Sequence, residues 1–166
     1  MRKIIFICTG NTCRSPMAMA IFNAFACLEP PEFDYEASSA GLAVLKDAPP
    51  SINAVLAMSD PWSVDISNHR SHLLSQTEVN EATLLLTMTM SHKHYILSMF
   101  PGAHQKVYTL KEYAYGKPGD LEKMNSTASV AADIADPYGG ALWAYKLCAA
   151  EIGQAVEKLV EKLKNS

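Results

Sequence analysis

The sequence predicts an α/β fold with a four-stranded parallel sheet. Two observations carry that prediction. Short apolar runs rich in branched residues, at about 3–7, 34–39, 83–88 and 106–110, alternate with helix-like stretches at about 15–28, 50–58, 91–99 and 140–164. Strands joined through helices in this way run parallel. The chain also has 166 residues and 49% hydrophobic content, enough to bury a full core, so one domain over residues 1–166 is expected.

The first strand, Ile4-Ile5-Phe6-Ile7, runs into Cys8-Thr9-Gly10-Asn11-Thr12-Cys13-Arg14-Ser15-Pro16. Ser15 followed by Pro16 marks the start of the first helix, because Ser caps free N–H groups and Pro suits the first helical turn. After the second helix, Ser59 to Asp65 breaks the helical pattern and reads as a loop. Pro101-Gly102 precedes the fourth strand, and Gly116-Lys117-Pro118-Gly119 opens the last loop. Residues 117–136 are polar and poorly periodic, which is long for a connection inside a domain and is often functional. The last helix is the clearest element. Leu142, Tyr145, Ala149, Ile152, Val156, Leu159, Val160 and Leu163 repeat at helical spacing, opposite Glu151, Glu157, Lys158, Glu161 and Lys164. That stripe reads as core in preference to a partner-binding face, and Met58, Met88, Met90 and Met99 read as core fillers. No internal repeat, low-complexity segment or linker to a second domain stands out.

A net charge of -3 and an isoelectric point near 5.9 give no electrostatic grip on nucleic acid or on an anionic membrane. No apolar run reaches transmembrane length, and no secretory leader pattern is visible, so a cytoplasmic protein is expected. The cysteines Cys8, Cys13, Cys27 and Cys148 are too few and scattered for a secreted disulfide framework. Reduced thiols are expected, with Cys27 and Cys148 as core packing. Spacing alone leaves metal binding by Cys8 and Cys13 open, but Arg14 and the missing second ligand pair argue against it, and neither metal nor cofactor is expected.

The chemistry lies in the first loop. A thiol and a guanidinium six positions apart, between a strand and a helix start, form an anion-binding catalytic loop. Unpaired backbone donors and the helix dipole there favour a thiolate and a bound phosphate, and Arg14 offers a planar fork to two phosphate oxygens. Cys8 sits at the carboxyl end of its strand, where open parallel sheets bind ligands. In the last loop, Asp136-Pro137-Tyr138-Gly139-Gly140 is a turn able to hold a carboxylate over the same edge. Asp136 is the general-acid candidate. Alone it would be an ordinary turn former, and the combination with Cys8 and Arg14 is what singles it out.

With these motifs the chain resembles the low-molecular-weight protein tyrosine phosphatase family, which pairs Cys-(x5)-Arg-Ser near the N-terminus with Asp-Pro-Tyr or Asp-Pro-Phe near the C-terminus. The likeness extends to Ser38-Ser39-Ala40-Gly41 and to Asp65-Ile66-Ser67-Asn68-His69-Arg70-Ser71. It implies a three-layer sandwich, the sheet flanked by helices on both faces, and a metal-independent protein phosphatase working through a phosphocysteine. On this resemblance Cys8 is the nucleophile. The amides of Thr9, Gly10, Asn11, Thr12, Cys13, Arg14 and Ser15, with the Arg14 guanidinium, hold the phosphoryl oxygens; Asp136 is the acid and then the base; Ser15 bonds the Cys8 sulfur. The mid-loop position of Asn11 suits left-handed backbone. By resemblance it joins Ser39 and His69 in a supporting network, although a lone histidine such as His69 is more often a surface residue. Cys13 has two readings, a partner for a reversible Cys8 disulfide or a small buried residue.

Substrate choice turns on Thr12. Members resembling protein arginine phosphatases carry threonine there, where many tyrosine phosphatases carry a bulky aliphatic residue. Val107-Tyr108-Thr109-Leu110-Lys111-Glu112-Tyr113 and the glycine pair after Tyr138 add to that similarity. Phosphoarginine in proteins is therefore the favoured substrate. Phosphotyrosine is the alternative, because Tyr138 at the rim can stack on a phenyl ring. Partners are phosphorylated proteins, not nucleic acid or membrane, and a monomer is expected. An arsenate reductase would need further redox cysteines near the site, and a mere phosphate-binding module would need neither the thiol nor the acid. A nucleoside triphosphate site would need a Gly-Lys-Ser/Thr ending that the loop lacks.

Overall fold

The computed structural model describes residues 1–116 and 132–166. Four strands, β1 (Arg2–Cys8), β2 (Tyr35–Gly41), β3 (Leu84–Thr87) and β4 (Val107–Thr109), form one parallel sheet in the order β2-β1-β3-β4. Six described helices surround it: α1 (Arg14–Ala26), α2 (Ile52–Ser59), α3 (Gln76–Glu81), α4 (Met90–Met99), α5 (Leu110–Tyr115) and α6 (Leu142–Lys164). The expected loop over 117–136 lies mostly outside the described residues.

The strand period of two divides β1 between two cores. Ile4 and Phe6, with Leu84 and Leu86 of β3, face Met17, Ile21 and Phe22 of α1 and the apolar stripe of α6. Ile5 and Ile7, with Leu85 and Val107, face Val79 of α3 and Ile96 of α4. The result is the expected three layers. Each fully buried aliphatic or aromatic side chain contributes about 1.5–3 kcal/mol of transfer free energy. The α6 stripe is buried from Tyr145 to Leu163, and Leu142 at its start is half-buried.

Several local expectations are corrected. Helix α1 starts at Arg14 with Cys13 as its N-cap and no side-chain cap. Ser15 already lies in the helix, and its hydroxyl turns inward to Cys8 and Asn11 instead. Cys27 is exposed at the C-cap, beyond the turns of α1 that meet the sheet, so it is not a core residue. Met58 and Met88 are buried, but Met90 is half-buried and Met99 is 57% exposed, because α4 fully buries only Ile96. The fourth strand stops at Thr109, which caps α5. The sequence reading missed α3 and α5, which have six residues each, too few for a periodic pattern. Both begin with a reciprocal capping box, Ser75 with Glu78 and Thr109 with Glu112, and that spacing was the available signal.

Candidate active site

Residues 8–13 turn from β1 into α1 at the carboxyl edge of the sheet, between β1 and β3, where the strand order switches direction. The Cys8 sulfur is buried, 3.0 Å from Ser15 Oγ. Asn11 adopts left-handed backbone at φ 58° and is fully buried, so each of its polar atoms needs a partner. Its Nδ2 donates to Ser15 Oγ at 2.9 Å and to Ser39 Oγ at 3.0 Å. Its Oδ1 accepts from the His72 amide at 3.1 Å, and its carbonyl accepts from His69 Nε2 at 2.8 Å. Burial pushes the His69 pKa down, consistent with a neutral ring in this role. The structure thus joins Asn11, Ser39 and His69, and it adds the His72 amide, which the sequence did not signal.

Close packing fixes the residue under this loop. A Cβ on Gly41 would lie 2.8 Å from the Thr9 carbonyl oxygen and 3.0 Å from Asn11 Cβ. Only glycine lets the end of β2 approach so closely.

Arg14 is 4% exposed and reaches across the chain. Its Nη1 donates to the Ile134 carbonyl at 3.0 Å, and Nη2 lies 3.1 Å from Asp136 Oδ2. Its Nε–H is buried and meets no acceptor among the described residues. The segment carrying Asp136 is tied down by the Ile134 amide on the Met88 carbonyl at 2.8 Å and by the Met90 amide on Asp133 Oδ1 at 2.7 Å. Beyond it, the Tyr138 amide donates to Asp136 Oδ1 at 3.1 Å, and Gly139 takes φ 77°, closing the turn.

Cys8, Arg14 and Asp136 share a cavity of about 370 Å³ with Thr9, Gly10, Thr12 and Cys13. Tyr138 stands at its rim, 76% exposed. Leu45 and Ala48 add an apolar wall absent from the sequence reading. They are placed from a distance: buried Ser71 donates through Oγ to the Leu45 carbonyl at 2.6 Å and accepts from the Ala48 amide at 3.0 Å. The Cys13 thiol is buried, 3.3 Å from Ser51 Oγ and 3.7 Å from the Tyr145 hydroxyl. Another unforeseen neighbour is His92, whose Nε2 lies 2.8 Å from Thr9 Oγ1. Among the described residues no group of three or more His, Cys, Asp or Glu side chains is placed to hold a metal ion. No described helix is long and apolar enough to cross a membrane.

A thiol held beside a hydroxyl, a buried arginine with a free donor, and a carboxylate across one small cavity can bind a tetrahedral anion and exchange a group at it. The family model for low molecular weight phosphotyrosine protein phosphatase matches residues 3–166. The chain belongs to this family. Among curated low-molecular-weight phosphatases, the protein-arginine-phosphatase of Geobacillus stearothermophilus is 35% identical over 97% of this chain and 95% of its own length. The protein-arginine-phosphatase of Bacillus subtilis is 36% identical, over 97% and 96%. Among solved low-molecular-weight phosphatases, a cysteine-to-serine mutant of the YwlE arginine phosphatase with a phosphorylated active-site serine superposes with a TM-score of 0.85 at 34% identity, over 99% of this chain and 97% of that one. The low molecular weight protein tyrosine phosphatase of T. tengcongensis gives 0.83 at 38% identity, over 98% and 99%.

Proposed function

We propose that this low-molecular-weight phosphatase removes phosphate from phosphoarginine side chains of proteins through a phosphocysteine intermediate. The observation that carries the reading is the single cavity holding the Cys8 sulfur 3.0 Å from Ser15 Oγ, with Arg14 and Asp136 across it. The Cys8 sulfur attacks phosphorus in line, and the bond to the leaving nitrogen breaks as Asp136 donates its proton to that nitrogen. The Arg14 Nε–H and the amides of residues 9–15 hold the equatorial oxygens where charge gathers. Asp136 then takes a proton from water, the oxygen attacks phosphorus, and the sulfur leaves toward the Ser15 hydroxyl. Asp136 exchanges its Arg14 contact for the leaving group during the first step.

Support for the arginine substrate comes from Thr12 in the cavity lining and from the relatives that bear that name. Exposed Tyr138 at the rim favours phosphotyrosine as the second reading, because an aromatic ring there can stack on a phenyl group. An arsenate reductase fits less well. Burial pushes the Cys148 thiol up to about 12, and Cys27 lies at the far end of the 13-residue α1, about 20 Å from the loop. We place the enzyme in the cytoplasm, where its thiols stay reduced, acting as a monomer on phosphorylated proteins. A sedimentation mass twice the 18.1 kDa of the chain would overturn the monomer.

The deciding assay compares kcat/KM on phosphoarginine and phosphotyrosine peptides for the wild type and Thr12→Ile. The expected result is a wild-type preference for phosphoarginine that falls at least tenfold in Thr12→Ile, about 1.4 kcal/mol of discrimination. A wild-type preference for phosphotyrosine that Thr12→Ile leaves unchanged would sink the arginine assignment.

A further inference from the structure

His92 has no part in the chemistry just described, yet it touches the loop residue next to the nucleophile. It lies in the first turn of α4, where its amide donates to Thr89 Oγ1 at 3.1 Å. Its Nε2 is 2.8 Å from Thr9 Oγ1, while its Nδ1 is buried and meets no hydrogen-bond partner among the described residues. The charges of Arg14, Asp133 and Asp136 act on the ring. Burial, and after it the Arg14 charge, pushes the pKa down to about 4 against the opposing pull of the two carboxylates. The ring is therefore neutral near pH 7, with one N–H and one bare nitrogen.

The two tautomers are not equivalent here. A proton on Nδ1 would be an orphaned buried donor, which folded proteins tolerate less well than an unused acceptor. A proton on Nε2 has Thr9 Oγ1 to donate to. A hydroxyl that accepts from an imidazole keeps its own proton for another acceptor. Thr9 follows Cys8 directly and lines the same cavity as Cys8 and Arg14.

We propose that His92 is a positioning residue, which in its Nε2–H form turns the Thr9 hydroxyl proton toward a phosphoryl oxygen and so adds a side-chain donor to the ring of backbone amides. The proposal rests on the phosphatase reading of this cavity. It assigns Thr9 a contact through its side chain, beyond the contact through its amide.

Two measurements test it. Nitrogen-15 NMR of histidine-labelled wild type at pH 7, with the signal identified by its loss in His92→Asn, is expected to show a protonated Nε2 and a bare Nδ1. A protonated Nδ1 overturns the proposal, since Thr9 would then spend its proton on His92. Orthovanadate and inorganic phosphate inhibition is then compared for Thr9→Val, Thr9→Ser, His92→Phe and the Thr9→Val/His92→Phe pair. Thr9→Val and His92→Phe are each expected to weaken vanadate binding roughly tenfold, the effect of one hydrogen bond to a charged group. The double variant is expected to be no weaker than either, with Thr9→Ser within about threefold of wild type. Additive losses, or losses below twofold in both single variants, overturn the proposal. The tautomer is read on the wild type, so a variant that folds poorly leaves the first measurement decisive. If the phosphatase reading itself fails, the wild type turns over no phosphorylated peptide, while the tautomer is still scored by NMR.

Discussion

Two neutral histidines hold the loop after β1, His69 on the Asn11 carbonyl and His92 on the Thr9 hydroxyl. Burial depresses both pKa values, to about 4 for His92. The unfolded chain takes up these protons near pH 6.5, while the folded chain resists until lower pH, so the unfolded state binds more protons in between and stability falls as pH drops. Thermal denaturation from pH 7 to pH 4 is expected to show this loss, and His92→Phe is expected to remove roughly 1–2 kcal/mol of it once solvent screening is allowed for. Equal slopes for the two proteins would refute the assignment. At this scale Cys8, Arg14 and Asp136 were legible in the motifs, while Ser39 and His69 beside Asn11 were legible only through the family resemblance. His92 was not, since it reaches Thr9 across 83 positions and only the packing of α4 reveals it. Leu45 and Ala48 were hidden for the same reason, their wall being set by the distant hydroxyl of Ser71.

Among the elements, the end of β2 is the most tightly fitted to the site. Cys8 pairs with Gly41 in the parallel register, and Leu42 and Ala43 amides donate to the Thr9 carbonyl at 2.9 Å each. Gly41→Ala would drive a methyl group into that carbonyl, so a loss of about 1–3 kcal/mol in denaturant unfolding is expected, together with a fall in kcat/KM as the loop shifts. Gly102→Ala, where a Cβ meets nothing within 4 Å, is the control and should leave both unchanged. If Gly41→Ala behaves like the control, the close approach does not govern the site. Long elements were easy to read: the stripe on α6 runs through 23 residues, enough for its period to show. Six-residue α3 and α5 were lost because their helical character rests on caps at one end, with one turn or so of helix behind each.

For the whole molecule, the order β2-β1-β3-β4 places the switch point between β1 and β3, and both sheet faces bury their own apolar cluster to hold that edge rigid. The alternation of strands and helices made this topology class readable, while strand order came only from the pairings. A site built into the core in this way links ligand binding to global stability. Inorganic phosphate at about one hundred times its Kd is expected to stabilise the fold by about 2.7 kcal/mol, and to raise Tm by roughly 5–10 °C for a chain of this size. Arg14→Ala should abolish the increment, measured against its own baseline; a shift of equal size in that variant would mean that phosphate acts elsewhere. The contact from Arg14 to the Ile134 carbonyl spans 120 positions and so joins two segments far apart in the sequence. A ribosome delivers the first of these groups long before the second. The nascent chain therefore carries its cysteine loop before the Arg14 partners Ile134 and Asp136 have been made. The loop is thus made first and braced later, and its brace comes from chain that the ribosome has yet to add.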